Sequence, residues 1–132
     1  MNKIAQEEKP LMAKIEEQNL EIESREENSA VILKIKGNLD VFSLQKIRER
    51  MEVMLNQTTR VVFDLTNLEY IDSAGIGFII GTLKRLRSKD PDAKLVICGL
   101  NDYLSGIFKL INFSRIIPMA KGIKQAWKEL DG

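Results

Sequence analysis

From Asn19 onward the hydrophobic positions repeat every second residue. Leu20 and Ile22 alternate with Glu21 and Glu23, the pattern of a strand with one buried face. Glu26-Glu27-Asn28-Ser29 reads as a turn, and Ala30–Lys36 returns as a strand with Val31, Leu33 and Ile35 on one side. Two such runs around a short polar link predict an antiparallel hairpin. Gly37-Asn38-Leu39-Asp40 ends the second run, and Gly37 and Asn38 suit the positive φ of a sharp exit. The period then becomes helical. Leu44, Ile47, Met51, Met54 and Leu55 fall on one stripe, with Ser43 as the expected cap. Asn56-Gln57-Thr58-Thr59 breaks this helix before a strand carrying Val61, Val62, Phe63 and Leu65. The order strand, helix, strand requires a crossover, so these two strands run parallel.

A short polar connection follows, and a helix restarts at Asp72-Ser73-Ala74-Gly75 and runs to about Ser88. Ile76, Ile79, Leu83 and Leu86 form its apolar stripe, while Lys84, Arg85, Arg87 and Lys89 gather in the last turns, where cations suit the helix dipole. Gly75, Gly77 and Gly81 each cost such a helix up to ~1 kcal/mol relative to alanine. Two readings account for them: tight packing on the chain's own sheet, or a helical face left bare for a partner. Asp90-Pro91-Asp92 is a turn, Lys94–Cys98 a strand buried on both faces, and Asn101 the start of a short helix with Leu104, Ile107, Phe108 and Ile111 on one side. Ile116 and Ile117 read as a brief edge strand ended by Pro118. Met119–Leu130 reads as a last helix with Ala120, Ile123, Trp127 and Leu130 inward. The sum is an α/β layer protein with a mixed five-stranded sheet, its first strand antiparallel in a hairpin, packed with four helices. Residues 1–17, interrupted by Pro10, form an extension that reads either as a short helix over Leu11–Glu17 or as disorder; residues 18–132 form one domain.

Composition removes several function classes. The chain has no histidine, which excludes Ser-His-Asp and Cys-His catalysis and histidine-ligated zinc. Its one cysteine, Cys98, lies in the apolar run Leu95-Val96-Ile97-Cys98 and reads as a core residue. A net charge of +1 offers no footprint for nucleic acid or an anionic membrane. No apolar run is long enough to span a bilayer, and no secretory leader is expected, which predicts a cytoplasmic protein without membrane insertion. The charge is uneven all the same: residues 1–29 carry four basic and eight acidic side chains, the mark of a solvated segment.

The candidate chemistry sits at Ser73. A serine at the mouth of a helix, on the loop after a strand, lies where open α/β sheets place their function. Free backbone N–H groups and the positive end of the dipole would receive a phosphate there. The same position also suits a plain N-cap, filled by Asp72 or Ser73.

Three stretches resemble the STAS domain family: Gly37-Asn38-Leu39-Asp40, Val62-Phe63-Asp64-Leu65 and, above all, Tyr70-Ile71-Asp72-Ser73-Ala74-Gly75-Ile76-Gly77. Their order and spacing match, over roughly residues 18–130. The resemblance implies a single STAS-like domain acting as an anti-sigma factor antagonist. In such proteins the serine matching Ser73 is phosphorylated by an anti-sigma factor that is also a serine kinase. The unphosphorylated form binds that kinase and frees the sigma factor, and a serine phosphatase resets the switch. Carried to this chain, Ser73 is the phospho-acceptor, and Asp40, Asp72 and Asp64 lie near it. The helix from Gly75 to Lys89 is the docking surface, with Gly75, Ile76, Gly77 and Phe78 as partner-binding residues. Asn112 stands where relatives often have glycine, and asparagine also accepts a left-handed turn.

Two other readings compete. A STAS subunit without a switch would serve as scaffold in a signalling assembly or lipid-transport complex, with Ser73 a cap. An enzyme would need Asp40, Asp64 and Asp72 to converge on a divalent ion. Aspartates near strand ends are commonly turn formers, and no phosphate-binding loop or catalytic cysteine setting accompanies them, so no enzyme activity and no cofactor are expected.

Overall fold

A computed structural model describes residues 11–132; the part of the expected extension that falls on residues 1–10 lies outside them. Six strands form one sheet in the order of the sequence: β1 (Leu11–Glu17), β2 (Leu20–Glu27), β3 (Ala30–Leu39), β4 (Arg60–Ile71), β5 (Lys94–Cys98) and β6 (Met119–Ala120). The first three are antiparallel, and β3 through β6 are parallel neighbours. The helices are α1 (Val41–Met54), α2 (Ser73–Lys89), α3 (Asp102–Leu110) and α4 (Ile123–Asp131).

The period-two pattern sorts the central strands into two faces. Val61, Phe63 and Leu65 of β4 and Leu95 and Ile97 of β5 enter one core with Leu44 and Ile47 of α1, Ile79 and Leu83 of α2, and Leu104 and Phe108 of α3. Val62, Val96 and Cys98 point the other way, beneath Ala126 and Leu130 of α4. Among the described residues, three helices therefore cover one face and α4 covers the other. The β2–β3 hairpin turns through Asn28 and Ser29 at φ 53° and 62°, the paired positive angles of a type I′ turn.

The fold departs from the pattern in four places. Leu11–Glu17 is a strand, not a helix: it pairs with β2, and Ile15, opposite Ile22, is its one buried side chain. Gly37, at φ 102°, does not end β3 but lies inside it, at a shift in its register with β4, and a side chain there would strike the Asn19 carbonyl 2.2 Å away. The polar connection expected after Leu65 is continuous strand, with β4 running on to Ile71 and Leu68 turned inward. Finally, Ile116-Ile117 is not the edge strand. Asn112, left-handed at φ 55°, begins a 3-10 turn over Phe113–Arg115, and the edge strand is Met119–Ala120, beyond Pro118. The last helix accordingly starts at Ile123, buries Ala126 and Leu130, and leaves Ile123 exposed and Trp127 half-buried.

Among the described residues no helix is long and apolar enough to cross a membrane. Cys98 is buried as expected, and burial, with a smaller contribution from the Asp64 carboxylate, pushes its thiol from 9.0 up to about 12. The folded state thus holds the proton more tightly than the unfolded chain. That contribution is intact below pH 9.0 and is lost as pH rises toward about 12. We expect a thiol reagent to leave Cys98 unmodified in the native protein at neutral pH and to react only on unfolding, and urea midpoints to fall above pH 9.0 in wild type more than in Cys98→Ala.

The helical glycines divide into two kinds. A Cβ on Gly75 would lie 2.3 Å from the Leu39 carbonyl oxygen and 2.6 Å from Ile71 Cγ1, whereas one on Gly77 or Gly81 would meet nothing. Gly75→Ala should destabilise the domain by about 1–3 kcal/mol through overpacking. Gly77→Ala and Gly81→Ala should each stabilise it by up to about 1 kcal/mol by restoring helix propensity. Chemical denaturation of the three variants checks both signs.

Candidate functional site at the joined helix termini

Leu39 and Ile71, the last residues of β3 and β4, lie side by side in the sheet. The chain turns into a helix immediately after each, so the N-termini of α1 and α2 emerge together. Asp40 caps α1: its Oδ1 accepts from Phe42 N at 3.1 Å and Ser43 N at 2.9 Å. Asp40 N donates in turn to Ser43 Oγ at 3.0 Å. Ser43, expected as the cap, is instead the third residue of a capping box.

Asp72 caps α2 and does more. Its Oδ1 accepts from Gly75 N at 3.0 Å, and its Oδ2 accepts from Val41 N, the first residue of α1, at 3.1 Å. Its own N–H donates to Leu39 O at 3.4 Å. One carboxylate thus satisfies a free N–H on each of two helices, whose positive dipole ends converge on it.

Ser73 is the first residue of α2, directly after this bridge. Its side chain is exposed, and among the described residues its hydroxyl makes no hydrogen bond. Capping belongs to Asp72, so Ser73 Oγ is left free. Of the expected neighbours, Asp40 and Asp72 are gathered here and Asp64 is not. Asp64 lies in mid-strand opposite Lys34 and Cys98, about 16 Å along β3 from Leu39 at the usual strand rise. Its Oδ1 accepts from Thr66 N at 3.1 Å and Thr66 Oγ1 at 2.6 Å. Among the described residues no group of three acidic or cysteine side chains could hold a metal ion, so the three aspartates form no carboxylate cluster.

The expected docking residues are also split. Gly75 is buried beneath the Leu39 carbonyl. Phe78 is buried too: its ring stacks on Phe63 at 6.4 Å between centroids, and the Arg48 guanidinium sits 5.9 Å from its centroid. Gly75 offers a partner no surface, and Phe78 offers only the edge that lines the cleft beside Gly77 and Gly81. Ile76 is half-buried and Gly77 exposed. Gly77 and Gly81 floor a shallow cleft of about 160 Å³ between Arg48 and Arg85.

Sequence reasoning did not single out the exposed apolar side chains that neighbour the two caps in the chain. Val41 (42% exposed), Phe42 (73%) and Tyr70 (51%) flank Asp40 and Asp72 in the chain. Phe42 offered a signal, since it stands out of phase with the Leu44, Ile47, Met51 stripe.

Asp72→Ala removes the α2 cap and unpairs Val41 N together. We expect a loss of about 2 kcal/mol, the upper end for a single cap. Asp40→Ala should cost about 1 kcal/mol, and the double variant should fall short of the sum because the two caps share the first turn of α1. Thermal and urea denaturation of the three variants measure this.

The STAS domain family model matches residues 21–126. The anti-sigma-B factor antagonist of Listeria monocytogenes is 32% identical over 116 residues, covering 86% of this chain and 96% of that protein. The anti-sigma-B factor antagonist of Staphylococcus aureus is 30% identical over 105 residues, covering 79% and 95%. Among solved structures, the Bacillus cell fate determinant SpoIIAA in its phosphorylated form matches with a TM-score of 0.59 at 15% identity, covering 82% of this chain and 97% of that one; at that identity the likeness speaks for the fold alone. The matched residues include both helix N-termini, the Asp72 bridge and Ser73, and this chain belongs to the STAS domain family.

Proposed function

We propose that this protein is an anti-sigma factor antagonist whose switch is Ser73. In its unphosphorylated form it binds an anti-sigma factor that is also a serine kinase, and so releases the sigma factor in the cytoplasm. The kinase transfers the terminal phosphoryl group of a nucleoside triphosphate to Ser73 Oγ, which gives up its proton as the nucleoside diphosphate leaves, and this ends the complex; a serine phosphatase hydrolyses the phosphoserine with water to inorganic phosphate and restores the binding form. The observation that carries this reading is the free, exposed hydroxyl of Ser73 beside two capping aspartates. The relatives named for the same role support it.

The chemistry follows from what surrounds the hydroxyl. Both Asp72 oxygens and Asp40 Oδ1 already accept backbone N–H groups, so these carboxylates serve as caps, and in this reading the kinase supplies the base that takes the Ser73 proton. The domain itself is the substrate and carries out no reaction. Val41, Phe42 and Tyr70 give the partner an apolar rim, with Ile76 and Gly77 on the first turns of α2.

A phosphoserine adds about −1.5 to −2 charges at neutral pH. The helix terminus favours that charge by roughly 0.3–1 kcal/mol, while Asp40 and Asp72 oppose it, so the fold itself changes little. An interface closed over Ser73 without a compensating cation fares worse, since an unpaired buried charge costs about 3–5 kcal/mol. At about 1.4 kcal/mol per decade this weakens binding by two to four orders of magnitude.

Paired baits test the reading, with circular dichroism first showing both folded. Ser73→Ala should retain an anti-sigma serine kinase from host lysate, and Ser73→Asp should lose it. If both recover the same partners, Ser73 is only the first residue of a helix and the domain is a scaffold.

A further inference from the structure

The strand β1 precedes residues 21–126, the span of the family match. It moves the edge of the sheet outward by one strand, and among the described residues nothing pairs with its outer side. A row of open backbone N–H and C=O groups is a template for another strand. Next to it, between β1 and the C-terminal half of α1, lies a cleft of about 390 Å³ lined by Ala13, Ile15, Glu49, Arg50, Val53 and Met54. Val53 is 78% exposed on its rim. Glu17 of β1 is held by Arg50 of α1, which fixes the strand against the helix.

We propose that β1 is a self-pairing edge, and that two copies of this chain join their sheets antiparallel about a twofold axis through Ile15. Two features select this register. A bulge between Leu11 and Ala13 breaks the regular strand, leaving Ala13–Glu17 as the segment able to pair straight, and its middle residue is Ile15. In that register Lys14 of each copy stands directly opposite Glu16 of the other, giving two opposite-charge pairs on one face. On the other face the two Ile15 positions fall opposite each other beside the apolar cleft, each side chain already buried in its own core. Moving the axis one residue, to Lys14, would set Lys14 against Lys14, a destabilising arrangement, and would draw the bulge into the pairing.

Within one copy Lys14 already lies 3.7 Å from Glu16 and 3.8 Å from Glu21, so the second copy completes an alternating array of charges. An axis perpendicular to the sheet keeps both α1 helices on the same side and brings the two Val53 rims toward each other. The Ser73 junction is unaffected, because Val41 and Met54 stand at opposite ends of a helix about 20 Å long. Dimerisation is therefore independent of the switch proposed for Ser73.

Sedimentation equilibrium of the full chain, from micromolar to millimolar concentration, tests the proposal. The average mass should rise from 15.1 kDa toward twice that value. Lys14→Glu and Glu16→Lys should each weaken association by at least about tenfold. The double variant Lys14→Glu/Glu16→Lys should restore it, since the swapped pairs again face opposite charges. Both side chains are solvent-exposed, at 38% and 67%, so the substitutions leave the core intact, and circular dichroism verifies this. A chain that stays monomeric throughout, a dimer indifferent to Lys14→Glu, or a double variant no better than the singles would overturn the proposal.

Discussion

The carboxylate of Asp72 takes one backbone N–H from α2 and one from α1, and the arrangement of the functional edge depends on that pair of hydrogen bonds. Helix N-termini carry unsatisfied donors and partial positive charge, so two brought side by side would otherwise repel. A shared anion between them turns the repulsion into a joint. The rest follows from the closeness it permits. Asp72 N reaches the carbonyl of Leu39, and α2 lies so near the end of β3 that residue 75 has no room for a side chain. The backbone is thus fixed on both sides of Ser73, while the Ser73 side chain itself is uncommitted.

The division of labour between adjacent residues resolves an ambiguity that the sequence left open. Asp72 and Ser73 are both good capping residues, and only their hydrogen bonds distinguish them. Ser43 shows the same effect at α1. It has the composition of a cap, yet Asp40 holds that place and Ser43 completes the box from the third position.

Most of the architecture was legible because burial in β2 and β3 follows a period of two, β4 and β5 open on continuous apolar runs buried on both faces, and α1 carries a plain helical stripe. The misreadings occur where burial and hydrophobicity part company. On α2 the inward face is Gly75, Phe78, Ile79, Thr82, Leu83 and Leu86. Two of these are not apolar-looking: Gly75 is excluded from bulk by a carbonyl, and Thr82 satisfies its hydroxyl on Phe78 O at 2.8 Å. Hydrophobicity alone therefore pointed to Ile76, and the true face is turned slightly away. The second half of β4 looked like a loop because β5 pairs only with Arg60–Asp64. Beyond that point β4 has a single neighbour, β3, so polar residues such as Thr66 and Asn67 are tolerated. In β1 only Ile15 is buried, which is too little signal for a period. Asp64 was grouped with the site through its motif, and strand length carries it away.

The order of strands has a consequence for how the protein is made. Every strand lies beside its predecessor in sequence, so the sheet can be laid down one strand at a time as the chain leaves the ribosome, each new strand finding its neighbour already in place. The helices α1, α2 and α3 cover their face along the way. The opposite face does not share this schedule: among the described residues, Ala30, Val62 and Val96 are covered by α4, which follows all six strands. Until α4 docks, a sheet assembled in that order leaves those apolar side chains without the helix that covers them.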